Sequence, residues 1–267
     1  KKEELVLWSI FLLLIVAQLI YLVVRGESQD IEILSGGNDH LLYETQARNV
    51  LGGDFLDSNS TLNAPFSLNV GYRYLLASSH LFMGEGVTLI RWVQTALMYG
   101  FLMLAYTSIK RLYSSAIAKI TIIQLFILNY LTEFSEQLLD TAWNIFFSIT
   151  AIYFLIRWAR NPSTKFLLIG ATLLALACFV RTNYLPLILL SLGWVVYISR
   201  QHEQSPVSNT SLVAGICALP YMLIGLRNKL VSGDWVFLPT SGGYNFWLGN
   251  RDISEGVNFF DGSQVAN

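Results

Sequence analysis

Residues Leu5 to Val24 read LVLWSIFLLLIVAQLIYLVV, with no charged residue between Glu4 and Arg25. A bilayer hydrocarbon core about 30 Å thick takes roughly 20 apolar helical residues to cross, and this stretch supplies them. Lys1 and Lys2 precede it as in a secretory signal. Its apolar run is longer than a signal's hydrophobic region, however, and no small-x-small cleavage site follows, so it is read as a retained anchor.

Working outward, the same criterion marks Trp92–Ile109, Ser114–Thr132, Leu138–Trp158, Phe166–Val180, Thr182–Ser199 and Ser211–Leu226. The expected fold is all-α: one polytopic membrane module over 1–267 with about seven transmembrane helices. Its first crossing is 5–24, an outer loop takes 25–91, the remaining crossings fall in 92–226, and 227–267 form an outer segment. Composition agrees. Only 13% of the 267 residues are charged, about half the fraction of an average soluble domain, and mean hydropathy is +0.49. A soluble enzyme and a disordered chain are excluded. A net charge of −1 argues against a nucleic-acid partner. Cys178 and Cys217 both lie in apolar runs, which excludes a disulfide scaffold. The chain opens on Lys1 and closes in a polar stretch, as a fragment would.

Basic residues set the orientation. With the N-terminus cytoplasmic, the short inner segments hold Lys1, Lys2, Lys110, Arg111, Lys119, Arg157, Arg160, Lys165 and Arg200, as the positive-inside rule requires. The outer segments are much longer and hold fifteen of the eighteen acids. The C-terminal end is therefore extracytoplasmic, and any chemistry is expected at the outer face.

Within the first outer loop, Asp39–Leu51 and Gly71–Met83 read as amphipathic helices stopped by Gly52-Gly53 and Gly84; such helices commonly lie in the membrane interface. Asn59-Ser60-Thr61 fits a glycosylation sequon. Asp39 follows Gly36-Gly37-Asn38 at a helix start, where capping alone would account for an acid. Asp39 and Tyr43 share a face, and His40, Glu44 and Arg48 form an adjacent row that reads equally as a solvated ion-pair ladder. Glu133, Glu136 and Asp140 gather at the next outer junction, either as a solvated rim or as a sugar- or metal-binding one opposite Asp39. Arg181 interrupts two apolar runs on the outer side, against the orientation rule, and so calls for an anionic partner: a phosphate or one of the outer acids. Arg227 and Lys229 stand at the outer end of the last crossing.

Several of these stretches together resemble a known family. Asp39-His-Leu-Leu-Tyr43-Glu-Thr-Gln-Ala47-Arg48-Asn, followed by Gly53-Asp54-Phe55, resembles the first outer loop of GT-C fold glycosyltransferases of the protein mannosyltransferase and aminoarabinose transferase branch (glycosyltransferase family 39 type). Phe179-Val-Arg181-Thr-Asn-Tyr-Leu-Pro is similar to a junction motif of that branch. The closing run resembles its bacterial signature: Arg227-Asn228, Gly233-Asp-Trp-Val-Phe-Leu-Pro-Thr-Ser-Gly242-Gly243-Tyr-Asn245, then Gly249-Asn250.

The resemblance implies a hexosyl- or pentosyltransferase of a cell membrane, a bacterial inner membrane by its signature. Such an enzyme moves a sugar from a polyprenyl-phosphate donor to a hydroxyl or amine of a lipid, protein or polysaccharide acceptor, with inversion. Asp39 maps onto the general base and Arg181, with Arg227 behind it, onto the departing phosphate. His40, Tyr43, Glu133, Glu136 and Asn245 complete the expected substrate-binding set. The branch often carries a second acid where this chain has His40, so no metal or other cofactor is expected, with a divalent ion left open. Full-length relatives continue through further membrane segments that are absent here. The alternative is a transporter or flippase of lipid-linked sugars. Transporters, however, favour broken helices and ionisable groups near the midplane, and here the charges gather at the outer ends.

Overall fold

The computed structural model describes residues 2–25, 39–58, 69–84, 87–127 and 134–240, together with 242, 246, 247 and 250. These residues form helices and turns, with no strand among them. The helices are α1 (Lys2–Arg25), α2 (Asp39–Leu51), α3 (Val70–Met83), α4 (Val87–Leu112), α5 (Ser115–Ile127), α6 (Thr141–Arg160), α7 (Thr164–Val180), α8 (Leu185–Gln201) and α9 (Pro206–Ser232); a 3-10 turn at Thr182–Tyr184 joins α7 to α8. Asn59-Ser60-Thr61, Glu133, Asn245 and positions 241, 243, 244 and 249 of the closing signature lie outside the described residues.

Each expected crossing coincides with a helix, but their lengths differ. Thr88–Leu112, Thr141–Arg160, Thr182–Gln201 and Pro206–Ser232 are long and apolar enough to cross a membrane, whereas Trp8–Val24, Ser115–Phe126 and Thr164–Val180 are shorter apolar helices. Among the described residues there are thus four full-length spans, against an expectation of about seven. α7, with 17 residues, reaches about 26 Å at 1.5 Å per residue, short of the hydrocarbon core.

Local chemistry sets the helix ends. Ser205 accepts a hydrogen bond from the Ser208 amide, Pro206 opens α9, and Gly233 ends it in the left-handed conformation with φ 86°. The expected start at Leu138 shifts to Thr141, because residues 137–140 turn instead of winding into the helix.

Three apolar clusters hold the helices together. The largest joins α6, α7, α8 and α9 through residues such as Trp158, Leu174, Val195 and Val213. A second joins α1, α4 and α5 through Phe11, Met98, Leu102 and Ile122. The third is formed by α2 and α3 (Tyr43, Ala47, Tyr72, Leu76) and takes in Ile90, Leu138 and Val180. α2 and α3 bury apolar side chains against each other and the bundle, while α3 leaves Leu81 and Phe82 exposed. Leu41 and Leu51 are the large apolar side chains that α2 leaves exposed.

The α3–α7 crossing is close enough that a Cβ on Gly71 would meet the backbone carbonyl and ring of Phe179. A backbone atom gives way less readily than a side-chain tip. Gly71→Ala is expected to cost about 3 kcal/mol, the upper part of the usual range for overpacking. Reversible unfolding in mixed micelles measures it, and a loss below about 1 kcal/mol would show that the crossing yields.

The bundle has a basic end. At it Arg160 donates to the Arg111 carbonyl, and His202 Nε2 lies 2.7 Å from the Ala159 carbonyl, so the C-terminal ends of α4, α6 and α8 meet. Asp140 and Arg181 lie at the other end of α6 and α7, about 30 Å away by helix length.

Candidate active site

At the end opposite the basic residues, side chains from four helix termini converge. Asn69 stands just before α3 and Asp140 just before α6; neither side chain caps its own helix. Instead Asn69 Nδ2 donates to Asp140 Oδ2 at 3.0 Å, and Asn69 Oδ1 accepts from the backbone N and Oγ1 of Thr182, each at 3.2 Å. Arg181, at the C-cap of α7, has an extended backbone that carries its guanidinium out of the helix. Its Nη1 donates to Asp140 Oδ1 at 3.3 Å and to Thr141 Oγ1 at 3.5 Å.

From α2, Asp39 and Tyr43 complete the group. Asp39 lies exposed in the first turn, where the helix dipole favours a negative charge. Tyr43, one turn later, is buried, with Asn69 and Asp140 flanking its hydroxyl. Burial, then the Asp140 charge, pushes the phenol well above its ordinary value, so it remains a neutral donor. The Tyr43 ring meets Tyr72 edge-on at 4.8 Å. Tyr72 hydroxyl donates to Gln94 Oε1 at 3.1 Å, and Gln94 Nε2 donates to the carbonyls of Ser135 and Gln137 at 3.0 and 2.7 Å. Gln18 of α1 reaches Ser135 Oγ at 2.7 Å. Buried polar groups cost free energy unless paired, and these pairings hold the turn that presents Asp140.

Asp140 is 5% exposed and Arg181 is 38% exposed along its side chain. The buried acid thus steers a cation that still faces solvent, with Nε and Nη2 carrying no hydrogen bond among the described residues. Burial raises the Asp140 carboxyl above its ordinary value; Arg181 and then the Asn69 hydrogen bond oppose the shift, and the Asp39 charge adds to it. A carboxyl raised on folding stabilises the fold below its unfolded pKa, and this contribution is lost as pH rises through the folded value. The stability of the wild type relative to Asp140→Asn is therefore expected to decline from pH 3.8 upward, the ordinary value. Unfolding midpoints over a pH series test this, and parallel curves would contradict it.

The other expected site residues are distributed differently. His40 is buried beside this group rather than presented with Asp39. Within the His40–Glu44–Arg48 row, Arg48 pairs with Glu44 at 2.8 Å as the spacing implies, and the other Glu44 oxygen meets His80 Nε2 of α3 at 2.9 Å. Glu136 is half-buried, and its carbonyl accepts from Arg91 Nε at 2.8 Å.

Arg227 belongs to a second, interior group. Its guanidinium donates to the carbonyls of Leu56 (2.8 and 2.6 Å) and Asp57 (3.1 Å) and to Asn228 Oδ1 (2.9 Å). Asp57 and Arg73, both 0% exposed, form a salt bridge beside it. Burial, then the Arg227 charge, lowers Arg73 to about 10. Arg227 thus clamps the 54–57 turn rather than backing Arg181.

Asn69, Asp57 and Arg73 were not singled out from sequence. Arg73 carried one usable signal, a lone charge within the apolar, aromatic Val70–Met83 segment. Among the described residues no group of three or more His, Cys, Asp or Glu gathers as a metal site. Comparison with protein-family models, curated proteins and solved structures finds no match to the chain.

Proposed function

We propose that the chain is the catalytic part of a multi-pass membrane glycosyltransferase with a GT-C-like arrangement of about seven crossings. In this reading the basic end is cytoplasmic and the Asp39–Asp140–Arg181 group is extracytoplasmic. The donor is a polyprenyl-phosphate sugar drawn from the bilayer; the acceptor is a hydroxyl or amine of a lipid, protein or polysaccharide.

The observation that carries the reading is the pairing of an exposed carboxylate with a solvent-facing guanidinium held by a buried acid. Transfer by single displacement needs both. The acceptor oxygen or nitrogen attacks the anomeric carbon as the bond from that carbon to the phosphate oxygen breaks. Asp39 takes the acceptor proton. The electron pair of the broken bond leaves with the lipid phosphate, whose added charge Arg181 stabilises through its remaining N–H groups. Asp140 and Tyr43 are buried and act on position: they fix Arg181 and the start of α2. The topology adds support, since the charges missing from the helix interiors are concentrated at these two ends.

The test is reconstitution of the purified chain in liposomes with a polyprenyl-phosphate sugar and an acceptor lipid. Product of inverted anomeric configuration is expected by NMR. Retained configuration, or movement of the lipid-linked sugar across the bilayer without transfer, would overturn the proposal.

A further inference from the structure

The basic end carries a feature that the transfer reaction does not use. A cleft of about 390 Å³ lies between α1 and α4, lined among the described residues by Trp8, Tyr106, Thr107, Lys110 and Arg111. Trp8 and Tyr106 meet edge-to-face at 5.2 Å and form an apolar floor. Lys110 Nζ stands 5.9 Å over the Tyr106 ring.

Arg111, which lines the cleft, lies 5.1 Å over the Tyr153 ring; Arg157, outside the lining, lies 6.0 Å over the same ring and 4.3 Å over Phe166. Stacking occupies the faces of the two guanidinium planes and leaves their N–H edges pointing outward. Among the described residues neither side chain donates a hydrogen bond; Arg111 takes part in one only through its backbone carbonyl, with Arg160. Two cations, Lys110 and Arg111, therefore line a cleft floored by aromatic rings, and the Arg111 side chain keeps unused donors.

We propose that this cleft is a site for an anionic phospholipid of the adjoining leaflet. Its phosphate would meet Lys110 and Arg111, and its glycerol and first acyl carbons would rest on Trp8 and Tyr106. Basic clefts between membrane helices suit anionic headgroups, and amphipathic aromatic rings favour the headgroup level. A free anion would satisfy the cations but not the aromatic floor. The inference rests on the chain being in a bilayer and is independent of the reaction assigned to the opposite end.

The test uses the full chain, delipidated in detergent and titrated with phosphatidylglycerol, phosphatidylcholine or inorganic phosphate, with bound molecules counted by native mass spectrometry. One phosphatidylglycerol is expected to stay bound in preference to phosphatidylcholine. Lys110→Ala/Arg111→Ala is expected to weaken it about tenfold or more, and Arg200→Ala, basic but not lining the cleft, to leave it unchanged. Thr107→Phe fills the cleft, keeps both cations and is also expected to abolish retention, which carries the test if the double variant does not fold. Equal loss in Arg200→Ala, equal binding of phosphatidylcholine, undiminished binding in Thr107→Phe or displacement by millimolar phosphate would each overturn the proposal.

Discussion

Asp39→Asn is expected to slow sugar transfer by about 10²–10⁴-fold, the usual contribution of a positioned general base, while donor binding stays near the wild-type value. The amide keeps the size and hydrogen-bonding shape of the carboxylate but cannot accept the acceptor's proton. Asp39 is exposed at the start of α2, so its loss removes only a dipole interaction of about 0.3–1 kcal/mol. Folding therefore remains a negligible part of the effect, and the fall should appear in kcat. Arg181→Ala should do the reverse in part, weakening donor binding as well as turnover, because in the proposed reaction the guanidinium meets the phosphate before and after the bond breaks. Initial rates and donor titrations on both variants separate the roles. Unchanged turnover in Asp39→Asn would remove this residue from the chemistry.

Asp57→Asn is expected to destabilise the protein by about 3–5 kcal/mol, the range for stripping one partner from a buried ion pair. Asp57 and Arg73 are both 0% exposed, and among the described residues Nε and Nη2 of Arg73 have no hydrogen-bond partner, so the guanidinium depends on that carboxylate. The amide is the informative choice for two reasons. It can still accept from Asn49 Nδ2, 2.8 Å from Asp57 Oδ1, and it tolerates the left-handed backbone at Asp57, φ 48°. What is lost is the charge and the second acceptor, which takes the Arg73 hydrogen bond. Adding Arg73→Met removes the orphaned cation and its repulsion with Arg227, and should restore most of the stability. Equilibrium unfolding in mixed micelles decides. A cost below about 1 kcal/mol, or no recovery in the double variant, would show that the pair does not hold the outer loop.

Helix positions were largely legible in the sequence. Apolar runs bounded by charge mark them whether or not a neighbour is known, and α2 was read at Asp39–Leu51 and α3 nearly so at Gly71–Met83, one residue later than it begins. Asp39 and Arg181 were also legible, because a carboxylate at a helix start and a cation between apolar runs are local anomalies.

Partnerships were not legible. Asp140 meets Asn69, 71 positions away, and Arg227 meets Asp57, 170 positions away; periodicity tells which face is buried but not what lies against it. The same limit explains the misplacement of Arg227. From sequence it was another outer cation near a phosphate, whereas three backbone and side-chain acceptors already surround it. In the His40–Glu44–Arg48 row the Glu44–Arg48 pair was legible, but the second partner of Glu44, His80 of α3, was not.

The Arg227 clamp also imposes an order in time. The chain emerges at about 5–20 residues per second, so the 170 positions between Asp57 and Arg227 separate their synthesis by roughly 10–30 s. Through that interval the first outer loop exists without its last fastener, while every helix up to most of α9 is being made. The 54–57 turn is completed only when the last described long helix is nearly finished. A chain cut short before residue 227 would carry Asp39, Asp140, Arg181 and the Asp57–Arg73 pair yet lack the Arg227 clamp on the 54–57 turn, so this end of the molecule is completed last.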